Sequence, residues 1–429
     1  MNRFDYHRAT SADEALHQFA GLAAGRVAAP VGGPVVGPVV GPVVGPVGEA
    51  AVETPLAEVP LAQTTVGPRD LGTAGAAEAR APRYLAGGTN LVDLMKEGVM
   101  APVRLVDISR LGVGDMRDMR EIREIRDAGN GAVHLGALAT NAATAYHPLV
   151  AERLPLLRSA ILAGASPQIR NRATNGGNLL QRTRCLYFYD AGVPCNKRIP
   201  GSGCPAATGL ARQHAILGAS AHCVATHPSD LCVALAALDA EVHVIGTAGR
   251  RVIPFGEFHR LPGDRPDLDT TLAPGELITH LVVPPNSLQA HSCYLKLRER
   301  ASYAFALVSV AAGFELDDTG LIVDARVALG GVAHKPWRNP EAERLLVGER
   351  PSPQLFSACA AALLKDAIPC GGPALPESTP GNAFKIPLAR HAVVRALEMA
   401  LAGIPTNTGE DAFRALGARE DRAPTAEAP

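Results

Sequence analysis

No sign of charge dominates this chain of 429 residues: 41 Lys and Arg nearly cancel 42 Asp and Glu, leaving a formal net charge of −1. Such a balance creates no global field to draw nucleic acid or anionic lipid, so neither is an expected partner. No uncharged apolar stretch is long enough for a membrane span. The opening Met1-Asn2-Arg3-Phe4-Asp5-Tyr6-His7-Arg8 lacks the uninterrupted apolar core of a secretory leader. The expectation is a cytoplasmic protein, or a periplasmic one exported on a signal carried by a partner. Eight cysteines are too few to staple a chain of this length. Three of them nevertheless crowd between Cys185 and Cys204, which points to metal chemistry rather than disulfides.

What is present is enough apolar material, 47% of residues, to bury a large core over two or three domains. A strand over 3–6 and a helix opened by Ser11 and Glu14 as a capping box begin the chain. From Val31 to Gly48 the sequence repeats Gly-Pro-Val-Val, and a proline at every fourth position forbids a helix or a central strand. Residues 26–80 therefore read as a low-complexity insertion. Strands follow over 83–86, 103–108 and 132–135, with a solvated excursion over 116–126 and a helix from Pro155 to Ala165. Ser229 caps a helix with Leu231, Leu235 and Leu238 at core spacing, before a strand over 241–245. Pro284-Pro285 marks a boundary. Beyond it come strands over 294–297, 306–314 and 325–329, a helix over 388–401, and a tail after Gly403 expected to fray. Alternating helix and strand signals give an α/β or α+β class.

Two glycine turns carry the first chemical signal. Ala86-Gly87-Gly88-Thr89-Asn90 sits between a strand and a helix, where missing side chains let backbone N–H groups approach a phosphate. It is neither G-x-G-x-x-G nor a Walker loop, which removes the Rossmann and P-loop readings. A second turn, Ala173-Thr174-Asn175-Gly176-Gly177-Asn178, follows Arg170-Asn171-Arg172, and two such turns could grip opposite sides of a dinucleotide. Together, Leu85-Ala-Gly-Gly-Thr-Asn-Leu91 and Gln168-Ile-Arg-Asn-Arg-Ala-Thr-Asn-Gly-Gly-Asn178 resemble the flavin-binding signature of the xanthine dehydrogenase and carbon monoxide dehydrogenase flavoprotein family. The resemblance implies an α+β protein: a vanillyl-alcohol-oxidase (PCMH) type FAD-binding domain of two α/β subdomains over 1–285, a small CO-dehydrogenase-flavoprotein-like C-terminal domain over 286–403, and a flexible tail over 404–429. It implies that Ala86, Gly87, Gly88, Thr89, Asn90, Leu91, Thr174, Gly176, Gly177 and Asn178 hold the pyrophosphate and ribityl chain of FAD. It also implies that Asp230 lies near the flavin, and that Ile278 and Lys296 pack on or donate to the isoalloxazine. The plainer readings are a helix N-terminal charge for Asp230 and a solvated strand lysine for Lys296. Tyr303 is a candidate to stack near the ring, or a core tyrosine.

Between the second turn and Ser229 the chain holds Cys185, Cys195, Cys204 and Cys223, spaced C-x9-C-x8-C-x18-C, within an insertion over 179–225. Four thiolates meet the ligand count of a [4Fe-4S] cluster, and flanking prolines and glycines let the backbone curl round it. Zinc and unliganded thiols are the alternatives, although structural zinc sites pair cysteines at shorter spacing. Cys232 competes with Cys223 for the fourth place. Cys293, Cys359 and Cys370 read as ordinary small residues. Within the family, the stretches Asn178-Leu-Leu-Gln-Arg-Thr-Arg-Cys185, Pro194-Cys-Asn-Lys-Arg198, Arg300-Ala-Ser-Tyr-Ala-Phe-Ala306 and Gly330-Gly-Val-Ala-His-Lys-Pro-Trp337 resemble FAD subunits of bacterial three-subunit aldehyde oxidoreductases, and more loosely those of 4-hydroxybenzoyl-CoA reductase. The likeness implies a heterotrimer in which one partner subunit holds a molybdenum cofactor, another carries [2Fe-2S] centres, and this chain passes electrons to an external acceptor. No catalytic proton-transfer residue is required of it. A stand-alone FAD oxidase would need an acid-base group in a substrate pocket, and none stands out.

Overall fold

The computed structural model describes residues 3–20, 80–113, 117–371 and 381–408. Apart from Arg80, the Gly-Pro-Val insertion lies outside the described residues, as does the tail beyond Thr408. Three sheets carry the fold. The first is parallel: β1 (Asp5–Arg8) and β2 (Arg83–Leu85) both pair with β3 (Arg104–Asp107), and the helix Leu91–Lys96 makes the crossover that parallel β2 and β3 require. The second is antiparallel, with β4 (Ile125–Gly129), β5 (Ala132–Gly136), β6 (Glu241–Gly246), β7 (Gly249–Pro254) and β8 (Leu277–Val283) in the order β4-β5-β8-β6-β7. The third, also antiparallel, runs β12-β11-β10-β9 through β9 (Ser292–Leu297), β10 (Val308–Leu316), β11 (Ile322–Gly330) and β12 (Trp337–Arg338). The mixture of helices and sheets is α+β. Among the described residues, no helix is long and apolar enough to cross a membrane.

The third sheet positions the site. Alternate side chains on a strand point to opposite faces, and both faces here are buried. Tyr294, Ala311 and Ala328 join the core shared with the first two sheets. Cys293, Leu295, Val308, Val310, Ala312 and Phe314 join a second core, roofed by the helices Pro353–Leu363 and Lys385–Leu401. The same alternation puts Lys296 on the face of Tyr294, toward the helix Asp230–Ala237.

Several local expectations needed correction. Ser11 Oγ accepts from Glu14 N at 3.1 Å, but the Glu14 carboxylate turns to Thr10 N at 2.6 Å rather than back to Ser11, so the capping box is only half made. The stretch 116–126 is not a solvated excursion: Met119 and Ile122 are buried, and Ile125 opens β4. Met119 and Ile122, three positions apart, share one face of the 3-10 helix Arg117–Ile122 and point inward, while the arginines and glutamates around them suggested a polar segment. The chain also does not fray directly after Gly403: Tyr294 N donates to Pro405 O at 2.8 Å, and Asn407 Oδ1 accepts from Lys296 N at 2.9 Å, extending the edge beside β9.

Candidate functional site

The two glycine turns meet. A Cβ on Gly87 would stand 2.2 Å from Arg172 O, so only glycine allows the first turn to press on the second. Arg172 Nε donates to Gly87 O at 3.2 Å across the same contact. Gly88, with φ of +77°, then bends the chain into the helix Leu91–Lys96. The N–H groups of Gly87 through Leu91 donate to no group among the described residues. Asn90 Oδ1 accepts from Arg182 N at 2.9 Å, while its Nδ2 is buried and has no partner among the described residues. A row of unspent donors around a tight bend is a cradle for phosphate oxygens.

The second turn spends its donors internally. Asn175 N goes to Ala139 O, Gly176 N to Ala137 O and Asn178 N to Thr174 O, at 3.0, 2.8 and 2.8 Å, while Gly177 N reaches Thr174 Oγ1 at 3.2 Å. A buried amide network that the sequence reading missed lies beneath it. Asn175 Nδ2 donates to Gly136 O at 3.1 Å and Thr144 Oγ1 at 2.9 Å, Asn141 Nδ2 to Asn175 Oδ1 at 3.1 Å, and Asn178 Nδ2 to Asn141 Oδ1 at 2.7 Å. Asn178 Oδ1 in turn accepts from Ser229 Oγ at 2.6 Å, which ties this turn to the residue capping the helix Asp230–Ala237.

Asp230 stands at the start of that helix, in the wall of a cleft of about 310 Å³. Arg184, His214, Thr226, Ser229 and Phe305 line the cleft with it, and the Arg184 guanidinium lies 4.9 Å from the Phe305 ring centre. Behind the wall, Asp230 Oδ2 accepts from Lys296 Nζ at 2.7 Å and Oδ1 from Tyr294 OH at 2.6 Å. Burial, reinforced by Asp230, holds the Tyr294 phenol protonated far above its ordinary range. Lys296 is thus not a solvated strand lysine: it is 2% exposed, and its second acceptor is Ala163 O at 3.1 Å. Ile278 lies in the core with 4% exposure and outside the cleft wall. Tyr303 is exposed, which removes the core reading, and Phe305 takes the place in the wall instead.

Cys185, Cys195, Cys204 and Cys223 line a second cavity together, whereas Cys232 points into the protein core. The loop that delivers them is braced by Asn196, whose Nδ2 donates to His222 O at 2.9 Å and whose Oδ1 accepts from Gly203 N at 2.7 Å. Lys197, almost fully buried, donates to Pro266 O at 2.7 Å and to the Asp269 carboxylate, which Arg182 Nε also reaches at 2.7 Å. Burial would raise Asp269, yet these two cations hold its carboxyl far below the usual range. Burial pushes Cys185 up to about 12, with a further rise from neighbouring Cys195 and Cys204. Cys204 is lowered to about 6 by its hydrogen bond with Cys223 and by the N–H groups of Val224, Ala207 and Ala206. Cys223 is raised in return, by that same bond and by burial. His214 Nε2 lies 3.1 Å from Cys185 Sγ, a contact that nothing in the cysteine spacing announces. Cys185 and Thr183 border both cavities, so the cysteine cavity and the Asp230 cleft share a wall.

Comparison with known proteins agrees with this geometry. The family described as FAD binding domain in molybdopterin dehydrogenase matches residues 66–286, and the CO dehydrogenase flavoprotein C-terminal domain matches residues 293–400. The chain is similar to the aldehyde oxidoreductase FAD-binding subunit PaoB of Escherichia coli K12, 50% identical over 265 residues that cover 62% of this chain and 79% of that one. It is also similar to the carbon monoxide dehydrogenase medium chain of Afipia carboxidovorans, 26% identical over 68% of this chain and 82% of the other. The solved structure of reconstituted CO dehydrogenase from Oligotropha carboxidovorans shares the fold, with a TM-score of 0.60 at 21% identity, covering 94% of this chain and 99% of that one. Fold, paired turns and sequence kinship converge: the chain belongs to the FAD-binding subunits of the molybdenum hydroxylase family, and is an oxidoreductase subunit.

Proposed function

We propose that this chain is the electron-transfer subunit of a molybdenum-dependent aldehyde oxidoreductase, and that it holds a [4Fe-4S] cluster on Cys185, Cys195, Cys204 and Cys223 beside its FAD. The observation that carries the reading is the convergence of these four cysteines, 38 positions apart end to end, on one cavity that shares Cys185 with the Asp230 cleft. The donor sets fit both groups. Four thiols around one cavity match a cubane cluster, and no short Cys pair favours zinc. The unspent amides of 87–91 and the bare Asn90 Nδ2 suit a pyrophosphate, while the second turn, through Asn178 and Ser229, fixes the wall that would face the ring. FAD, when bound, accepts electrons one at a time and delivers them singly or in pairs.

The chain's own residues bind and orient. Lys296 and Tyr294 hold Asp230 in one rotamer at the cleft. Lys197, Asp269 and Arg182 pin the cysteine loop to the segment 265–270, and His214 Nε2, 3.1 Å from Cys185 Sγ, would donate to that sulfur once it is a metal-bound thiolate and so orient it toward the cavity. Kinship with the aldehyde enzyme's subunit supports aldehyde as the substrate oxidised on a molybdenum-bearing partner, with [2Fe-2S] centres on a further subunit and an external acceptor at the flavin.

The test is co-expression of this chain with its partner subunits under ample iron, molybdate and riboflavin. Expected are one FAD and about four iron atoms per copy of this chain beyond the partners' iron, with the additional iron lost in Cys195→Ser while flavin stays. A folded chain that purifies colourless overturns the reading. Oxidation of aldehyde by this subunit alone would make it a self-contained oxidase instead, and a complex that reduces a hydroxybenzoyl thioester or oxidises a purine would move it to another branch of the family.

A further inference from the structure

Cys232 takes no part in the cysteine cavity, and its surroundings are of a different kind. It lies in the first turn of the helix Asp230–Ala237, fully buried, where its Sγ and one ring nitrogen each of His227 and His259 all fall within 4.8 Å of one another. The two imidazole centres are 4.3 Å apart. Donors at about 2.1 Å (nitrogen) and 2.3 Å (sulfur) from a tetrahedral zinc stand roughly 3.5 Å from each other. Closure of the widest of these separations by about 1 Å, within reach of side-chain rotation, brings the group to bonding geometry.

The hydrogen bonds point the same way. His259 Nε2 donates to Leu179 O at 2.9 Å, which fixes the tautomer and leaves Nδ1 as the lone-pair nitrogen. That Nδ1 is buried and has no partner among the described residues. An imidazole tied to a backbone carbonyl through one nitrogen and bare at the other is how metal-ligating histidines are oriented. His227 Nε2 is equally buried and bare. The backbone bond from His227 N to Ala333 O, 2.9 Å, brings up the next residue, His334, which is 8% exposed with both ring nitrogens buried and unpartnered among the described residues. Two bare imidazole nitrogens, those of His227 and His259, beside a buried thiol are a costly arrangement unless something engages them.

We propose that His227, Cys232 and His259 form a buried three-ligand site for a closed-shell d10 cation, Zn2+ or Cu+, separate from the cysteine cavity. Imidazole and thiolate together select borderline-soft and soft cations over Mg2+ or Ca2+. On binding, Cys232 releases its thiol proton to solvent and becomes the thiolate ligand, so binding strengthens as pH rises. The ion would tie together two segments: the capped start of the helix Asp230–Ala237 with the residues leading into it, and the chain just after the helix Phe255–Phe258. Ser229 and Asp230, which face the cleft, sit between two of the ligands.

The test uses the full chain with its partners, grown in zinc-replete or copper-replete medium and analysed for iron, zinc and copper. Expected is about one zinc or copper per chain in addition to iron, with the replete medium showing which ion the site retains. Cys232→Ser and His259→Gln should each lower that ion at least tenfold while iron and flavin stay. Cys195→Ser should do the reverse, lowering iron and sparing the zinc or copper. A folded, flavin-loaded protein with neither ion above trace overturns the proposal, as does zinc or copper lost in Cys195→Ser but kept in Cys232→Ser. If both site variants fail to fold, Co2+ titration of metal-stripped wild type decides: a thiolate-to-Co2+ charge-transfer band supports the site, and its absence overturns it.

Discussion

The two diglycine turns look alike in sequence and do opposite things. The first leaves the N–H groups of Gly87 to Leu91 unspent among the described residues, whereas the second pays out every one of its own, from Asn175 to Asn178, to Ala139, Ala137 and Thr174. One turn is built to receive, the other to hold the scaffold on which the receiving happens. The likeness lies in the need for close approach, and the difference lies in what sits underneath: a crossover helix of six residues for the first, a buried Asn141, Thr144 and Asn175 network for the second.

Substitutions that separate receiving from holding sharpen this contrast. Gly87→Ala should have the largest effect, because the added carbon meets the Arg172 carbonyl and forces the turns apart; FAD affinity should fall by a hundredfold or more, about 3 kcal/mol, read by flavin fluorescence titration. Asn175→Ala should cost roughly 2–3 kcal/mol of stability in urea unfolding, because it leaves the Asn141 Nδ2 donor unpartnered in the interior and takes a hydrogen bond each from Thr144 Oγ1 and Gly136 O. Its folded fraction should bind FAD within about threefold of wild type; a hundredfold loss there would break the contrast. Asn90→Ala removes the bare Nδ2 donor and should weaken FAD about tenfold, near 1.4 kcal/mol, and it should also cost about 1 kcal/mol of stability, because Arg182 N loses its acceptor. Gly177→Ala should be the mildest, within about 1 kcal/mol, because the Thr174 hydroxyl 2.9 Å from the new carbon can rotate and alanine favours the helix. A severe flavin defect there would show that the second turn receives as well.

Features that close within a few residues were legible in the sequence. The turns, the Ser229 cap, the proline-led helix at Pro155 and the cysteine spacing are all local, and the structure places them together. Strands β4, β7 and β12 escaped the reading because edge segments carry charges that mask their apolar face, whereas β8 escaped it because a central strand buried on both faces lacks the polar alternation that marks a strand. For Lys296 a surface lysine stood as the plainer alternative to a flavin contact because nothing near it in the chain supplies its partner; Asp230 is 66 residues away. The alternation along β9, however, already put Lys296 on the side of Tyr294. The choice between Cys223 and Cys232 was open for the opposite reason: both stand near the loop in sequence, but the Ser229 cap starts a helix whose apolar register turns Cys232 inward. His214 and the Asn141 and Asn175 pair were invisible because their roles depend on tertiary contacts alone.

The third sheet contributes to two cores at once, and this has a mechanical consequence. Tyr294, Ala311 and Ala328 on one side and Leu295, Val310 and Val327 on the other belong to the same three strands. Loosening the C-terminal helices would therefore withdraw support from Tyr294 and Lys296, and through them from Asp230. The molecule should melt in one step rather than two, and damage far from the flavin cleft would first be felt as a slackened carboxylate within it.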